Sequence, residues 1–438
     1  MHDGLRKHLG ANVSFGERVK EIREGFEPAF WVANISELFE RLAYYAAFAS
    51  LANYLHESLG FPTEQTGVLA GIFGGLVWFL AIIGGAVADR LGFRRALSAA
   101  YLILTCSYFL LGSIGSSWMG PVRHAVPLYW LVLGILMLPA LGISMVKPAV
   151  VGSTARASKE NVRSIGYSIY YTLVNVGGAA GPYVASIAHR HMGVQNVFRI
   201  SALCVLVMFF VVLLFFKEPA TANDAQTRSL AQTARNLGKV LANPKFMLFL
   251  IIFSGYWVVY WQVYIGLPLY ITGYINPHAD VELILVTDAL SVICLQIVIS
   301  YVTRAMRSFS AITAGTVISS VAWLIVAFHP AIWTAVLTLF VVALGEMTLS
   351  PRYYEYVSRL APPGQQGTYM GFAFVPIGIG SLIGGWLMGV LLHRYGELDH
   401  QPQRAWWVMT GIGLATALAL WIYDRIVTPA DSPGIPAK

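Results

Sequence analysis

The sequence predicts an all-α membrane protein of twelve transmembrane helices arranged in two six-helix bundles. Three observations carry that expectation. Of 438 residues, 57% are hydrophobic and only 12% charged; apolar stretches of spanning length recur along the whole chain; and one long polar connection falls near its middle. Soluble domains carry about 25% charged residues, so a mean hydropathy of +0.63 excludes soluble enzymes, disordered chains and disulfide-rich scaffolds. A bilayer core of about 30 Å needs roughly 20 apolar residues per helix, which allows about twelve spans in this length.

The chain opens with a polar arm, 1–28, too charged for a signal peptide (Glu17, Arg18, Lys20, Glu21, Arg23 and Glu24). Span one covers 30–55 and span two 64–89; span three is 94–115 and span four 126–152. Span five, 162–188, contains Gly181-Pro182, and span six, 196–217, is almost wholly apolar. These make a first bundle, 29–217, and residues 218–244 form the linker. Spans 244–272, 283–305, 309–328, 331–360, 366–393 and 404–427 make the second bundle, 245–427, before a tail of 428–438.

An even number of spans puts both termini on one side. Twenty-one of the 29 Lys and Arg residues fall on the terminal arms, the linker and the other even-numbered connections, against five (Arg123, Arg190, Arg199, Arg394 and Arg404) on the odd ones. The positive-inside rule then places both termini in the cytoplasm, with the cell (inner) membrane as the expected location. It also explains a net charge of +7 without nucleic acid. Cys106, Cys204 and Cys294 lie in apolar stretches without metal spacing, and neither HExxH nor GxSxG occurs, so neither an intramembrane enzyme nor a metal site is expected.

The few charges inside spans are costly unless paired or facing water, and each is a functional candidate. In span one Glu37, Glu40, Arg41, Tyr44 and Tyr45 fall at i, i+3, i+4, i+7 and i+8, one helical face. Two carboxylates beside one guanidinium leave an acid in excess, a group that can take up a proton while Arg41 stays neutralised. Span four carries Lys147 before Pro148, span five Asn175, span eight Asp288 and span ten Glu346. Bases thus lie in the first half, and unaccompanied acids in the second. A cavity between the halves would suit a zwitterion, its carboxylate toward Arg41 and Lys147 and its ammonium toward Glu346 and Asp288. A direct pair between Lys147 and one of these acids is the competing arrangement.

Between spans two and three, Gly84-Gly85-Ala86-Val87-Ala88-Asp89-Arg90-Leu91-Gly92-Phe93-Arg94-Arg95 resembles the signature loop of the major facilitator superfamily. The resemblance implies a cytoplasmic gate at Asp89, Arg90, Arg94 and Arg95. Glu37-x-x-Glu40-Arg41-x-x-Tyr44-Tyr45, Lys147-Pro148, Tyr170-Tyr171-Thr172-Leu173-Val174-Asn175-Val176-Gly177 and Gly345-Glu346…Ser350-Pro351 together resemble the proton-dependent oligopeptide transporters. That implies proton-coupled uptake of di- or tripeptides, driven by the proton gradient without a cofactor, in a chain expected to act as a monomer. It carries Glu37, Glu40 and Arg41 into proton coupling, Arg41, Lys147 and Asn175 to the peptide carboxylate, Glu346 to the amino terminus, and Tyr44 and Tyr45 to the pocket lining. Tyr256-Trp257-x-x-x-Trp261-Gln262 is similar to the family's seventh-span motif and adds Trp261 and Gln262 to the pocket. Trp261, however, stands where that family has an acid paired with the fourth-span lysine, so Asp288 is the expected substitute in pairing and coupling. The bulk of Trp261 leaves open a different solute: a nucleoside, an amino-acid derivative or a drug-like compound.

Overall fold

The computed structural model describes residues 24–160, 162–219, 238, 240–361 and 366–427, without the side chains at 81–83, 85, 86, 89, 164 and 366–368. Most of the expected arm, most of the linker and the tail lie outside the described residues. Twelve long helices occur among those described: α1 (Pro28–Asn53), α2 (Thr63–Leu91), α3 (Phe93–Ser113), α4 (Leu128–Arg156), α5 (Arg163–Met192), α6 (Val194–Phe215), α7 (Pro244–Tyr260), α8 (Val281–Val302), α9 (Ser308–Phe328), α10 (Ile332–Leu360), α11 (Val375–Leu391) and α12 (Arg404–Ile426). Nine are long and apolar enough to cross a membrane; α1, α2 and α5 fall outside that count, α1 because Glu37, Glu40 and Arg41 sit within it.

Helix starts follow local chemistry. Pro28 and Pro244 occupy the first helical turn, where a missing N–H costs nothing. Asn243 accepts from the Phe246 N–H at 3.1 Å, and Asp280 from the Leu283 N–H at 3.0 Å. Two expected spans are broken. The seventh passes after Tyr260 through a 3-10 turn (Trp261–Val263) and a short helix (Gly266–Tyr270), and the eleventh breaks between Phe372 and Val375. Interrupted helices of this kind leave backbone groups free at mid-membrane, where transporters place their sites.

Helix pairing repeats between the halves. The pairs α1–α5, α1–α6, α2–α4, α3–α4 and α3–α6 have counterparts α7–α11, α7–α12, α8–α10, α9–α10 and α9–α12. Across the interface α5 packs on α8 and, by the same relation, α11 on α2. The repeat is carried by packing, since the halves show no convincing sequence identity.

The α2–α11 seam is built from small residues four apart. A Cβ on Gly71 would lie 2.7 Å from the Ser381 carbonyl oxygen and 3.2 Å from the Gly385 Cα, and one on Gly75 would lie 2.9 Å from the Gly378 carbonyl oxygen. Ser381 Oγ donates to the Gly71 carbonyl at 3.0 Å. Such stripes let helix backbones touch in membranes, where apolar area alone gives no drive to associate.

The signature loop is a single residue, Gly92, at φ 79°, between α2 and α3. Arg94 N–H donates to Glu218 at 2.8 Å, and its guanidinium reaches the Leu213 carbonyl at the end of α6. The loop is therefore tied within its own bundle. Arg90, Arg94 and Arg95 are exposed, while the side chain of Asp89 lies outside the described residues. In the second half Arg352 serves the α8–α9 connection: it donates to the carbonyls of Thr303 at 3.2 Å and Arg304 at 3.0 Å and pairs with Glu355 at 2.9 Å. A cation there complements the C-terminal end of the α8 dipole.

Candidate functional site

Glu40 grips Arg41 with both oxygens: Arg41 Nε donates at 2.6 Å and Nη2 at 2.8 Å. Glu37, one turn earlier, lies 3.7 Å from the same Nε, and neither of its oxygens has a hydrogen-bond partner. Both carboxylates are fully buried. Of the two carboxylates it is Glu37 that lacks a hydrogen bond, because Arg41 is committed to Glu40. The Arg41 guanidinium also lies over the Tyr44 ring, 4.9 Å from its centroid.

Lys147 does not meet Asp288. Its ammonium sits 4.5 Å from the Trp78 ring centroid and 5.9 Å from that of Phe374, at the entry to α11. It lies within electrostatic reach of Glu37, Glu40 and Arg41, so the first-half charges form one group. The anticipated Lys147–Asp288 pair is thus absent, because the aromatic faces of Trp78 and Phe374 hold the ammonium instead.

Asp288 instead accepts from the Tyr260 hydroxyl at 3.4 Å and interacts with Glu346; its second oxygen is buried without a partner. No cation is paired with either acid among the described residues. Tyr45 stands between the two walls, within electrostatic reach of Arg41 and Glu40 on one side and Asp288 and Glu346 on the other. Asn175 is half-buried on α5 with its amide nitrogen donating to the Tyr171 carbonyl at 2.9 Å, which leaves its oxygen for a ligand.

Two expected pocket residues bond to the backbone of α11. Gln262 has no exposure; its amide donates to Val258 at 2.7 Å and Gly384 at 3.1 Å, so it locks α7 to α11. Trp261 is likewise buried, its indole N–H donating to the Ile377 carbonyl at 2.9 Å. Its ring joins a layer with Phe48 (5.3 Å) and Tyr264, and Phe48 stacks on Tyr264 at 5.1 Å, with Tyr45 6.0 Å away. Trp261 thus belongs to an aromatic floor with Phe48 and Tyr264.

Beyond that floor, polar contacts join the bundles at the end remote from the chain termini. Glu282 of α8 accepts from Ser50 at 2.8 Å and lies 2.8 Å from His189 Nδ1. Asp280 accepts from Ser186 at 2.7 Å and pairs with Arg190 at 3.0 Å. At the related seam Thr63 donates to Glu397, which His393 also contacts at 2.7 Å. Toward the termini, Tyr171 is 55% exposed and within electrostatic reach of Glu346 and Tyr354. Sequence reasoning missed Tyr260, Trp78, Phe374 and these end contacts; only the aromatic crowding at 256–264 hinted at the floor.

Glu282→Gln removes a carboxylate that ties α8 to both α1 and α5. Charge-assisted hydrogen bonds are worth about 1.5–3 kcal/mol. Labelling of a cysteine placed at Tyr264 by an impermeant thiol reagent, added from the end remote from the termini, should therefore rise about tenfold or more; an unchanged rate would mean the contact does not hold that end shut.

The model for the Major Facilitator Superfamily matches residues 34–277 and 267–438. The chain belongs to the major facilitator superfamily. This membership makes it an integral, multi-pass membrane transporter rather than an enzyme. Among the transporter's relatives, multidrug resistance protein MdtH of Citrobacter koseri is 22% identical over 393 residues, covering 89% of this chain and 92% of that protein. Among solved structures, a POT family transporter in complex with 5-aminolevulinic acid superposes with a TM-score of 0.74 at 16% identity, over 91% of this chain and 96% of that one. A mutant of the nucleoside transporter NupG gives 0.74 at 14% identity, over 90% and 99%. At these identities the superpositions establish a shared fold.

Proposed function

We propose that this transporter is a proton-coupled symporter of di- or tripeptides, or of similar small zwitterions, acting as a monomer with both termini in the cytoplasm. The observation that carries the reading is the division of buried charge between the bundles: the Glu40–Arg41 pair with Glu37 and Lys147 in the first, and base-free Asp288 and Glu346 in the second. Structural similarity to POT family transporters, one of them solved with a thioalcohol-conjugated peptide, supports it. The 21 basic residues on the terminus side support the orientation. The end closed by Glu282, Asp280 and Glu397 is then extracytoplasmic.

Coupling follows from competition for Arg41. While Glu40 is ionised its two oxygens occupy the Nε and Nη2 donors on one edge of the guanidinium. A proton taken up by Glu40 frees those donors for a substrate carboxylate, with Glu37 3.7 Å away to keep the guanidinium compensated. Loss of the proton restores the Glu40 pair and expels the carboxylate. Rocking of the bundles about the α2–α11 and α5–α8 seams would expose the site alternately to each side.

The test is uptake into proteoliposomes. A labelled dipeptide should accumulate under an inward proton gradient, fall away as the outside pH rises toward the inside value, and be displaced by other dipeptides but not by nucleosides. A second reading, transport of a non-peptide solute, draws on the likeness to MdtH and NupG. Displacement by nucleosides or hydrophobic drugs, with none by dipeptides, would favour it.

A further inference from the structure

We infer that Asp288 and Glu346 form a two-carboxylate seat that selects cargo of net positive charge, so that peptides carrying a basic side chain bind in preference to neutral ones. The inference rests on the zwitterion-transport reading above and deepens it. On the first wall Arg41 and Lys147 balance Glu37 and Glu40 when all four are ionised, leaving no cation to spare for the second wall. Lys147 is held over Trp78 and Phe374, and among the described residues nothing else positive pairs with the acids opposite.

Asp288 is only 3% exposed, and its one hydrogen bond, from Tyr260 at 3.4 Å, leaves Oδ1 buried and unpartnered, with Glu346 within electrostatic reach. A neutral dipeptide brings one ammonium for two carboxylates and leaves a negative charge in a low-dielectric site, which is costly. With Glu40 protonated to make room for the peptide carboxylate, a dipeptide with a lysine or arginine side chain brings two cationic groups and closes the balance. With a neutral peptide, the remaining charge has to be met by an additional proton. Glu346 alone would suffice for an amino terminus, so Asp288 is the residue that sets the preference.

The test is thermal-shift titration of the full-length purified protein at neutral pH with lysyl-alanine, alanyl-alanine and the diamine cadaverine. Lysyl-alanine should bind at least about tenfold more tightly than alanyl-alanine, the scale of a charge-assisted contact. Asp288→Asn should reduce that ratio to about threefold or less, and Glu346→Gln should reduce it also, so a folding defect in one variant leaves the other to decide. Equal affinity for the two peptides in the wild type, or a ratio unchanged in both variants, would overturn the seat. Stabilisation by cadaverine with neither peptide bound would uphold the seat and remove the peptide reading. Binding of alanyl-alanine with neither cationic ligand bound would do the reverse.

Discussion

Glu40→Gln abolishes accumulation of substrate against a gradient while leaving exchange of labelled for unlabelled substrate intact. In the wild type both Glu40 oxygens are committed to Arg41, and Glu37 stands in reserve with neither oxygen hydrogen-bonded. An amide at position 40 removes one negative charge. Glu37 then becomes the obligatory partner of Arg41, and no acid remains in excess to carry a proton. Concentrative uptake should fall by about ten- to a hundredfold, as expected when a charged partner worth about 1.5–3 kcal/mol is lost and the coupling step with it. Exchange needs only the substrate-loaded forms and persists. Persistence of pH-driven accumulation in Glu40→Gln would show that the proton is carried elsewhere, with Asp288 the next candidate. Because uptake needs a protonated carboxylate on the outside, the wild-type rate falls as external pH rises.

Gly71→Leu is expected to have an effect of comparable size by a different route. The position meets the Ser381 carbonyl and the Gly385 Cα so closely that even a Cβ has no room, and the opposing atoms are backbone that cannot rotate away. A leucine there wedges α2 from α11 at the end closed in this conformation. Forcing groups into a packed contact costs about 1–3 kcal/mol, enough to shift a two-state equilibrium about five- to a hundredfold. The protein should remain folded, lose uptake, and label faster at a Tyr264 cysteine from the extracytoplasmic side. Normal uptake by Gly71→Leu would mean that the seam does not close during transport.

The membrane-spanning character of the chain and the Glu37–Glu40–Arg41 group were legible in sequence for the same reason: both are local. Apolar run length reports a span directly, and residues three and four apart share a helical face. The α2–α11 seam was also written locally, in Gly67, Gly71 and Gly75 and in Gly378, Ser381, Gly385 and Gly389, although only packing shows that the two stripes meet. What sequence did not disclose depends on convergence of separate helices. Tyr260, Asp288 and Glu346 come from three of them, and nothing in their spacing brings them together. The contacts of Trp261 and Gln262 were not legible because α7 is apolar on every side, so no polar face fixes its rotation, and the helix breaks just where those residues lie. Lys147 was expected to seek a carboxylate, yet two aromatic rings from different bundles hold it.

The most direct test of proton–substrate coupling in one cavity reverses the driving force. Proteoliposomes holding a pH-sensitive dye and no pH gradient are given an inward gradient of dipeptide with the membrane potential clamped. Symport requires the interior to acidify as peptide enters, with the signal absent in Glu40→Gln. Peptide entry without a pH change, or alkalinisation that marks proton exit in exchange for peptide, would contradict it.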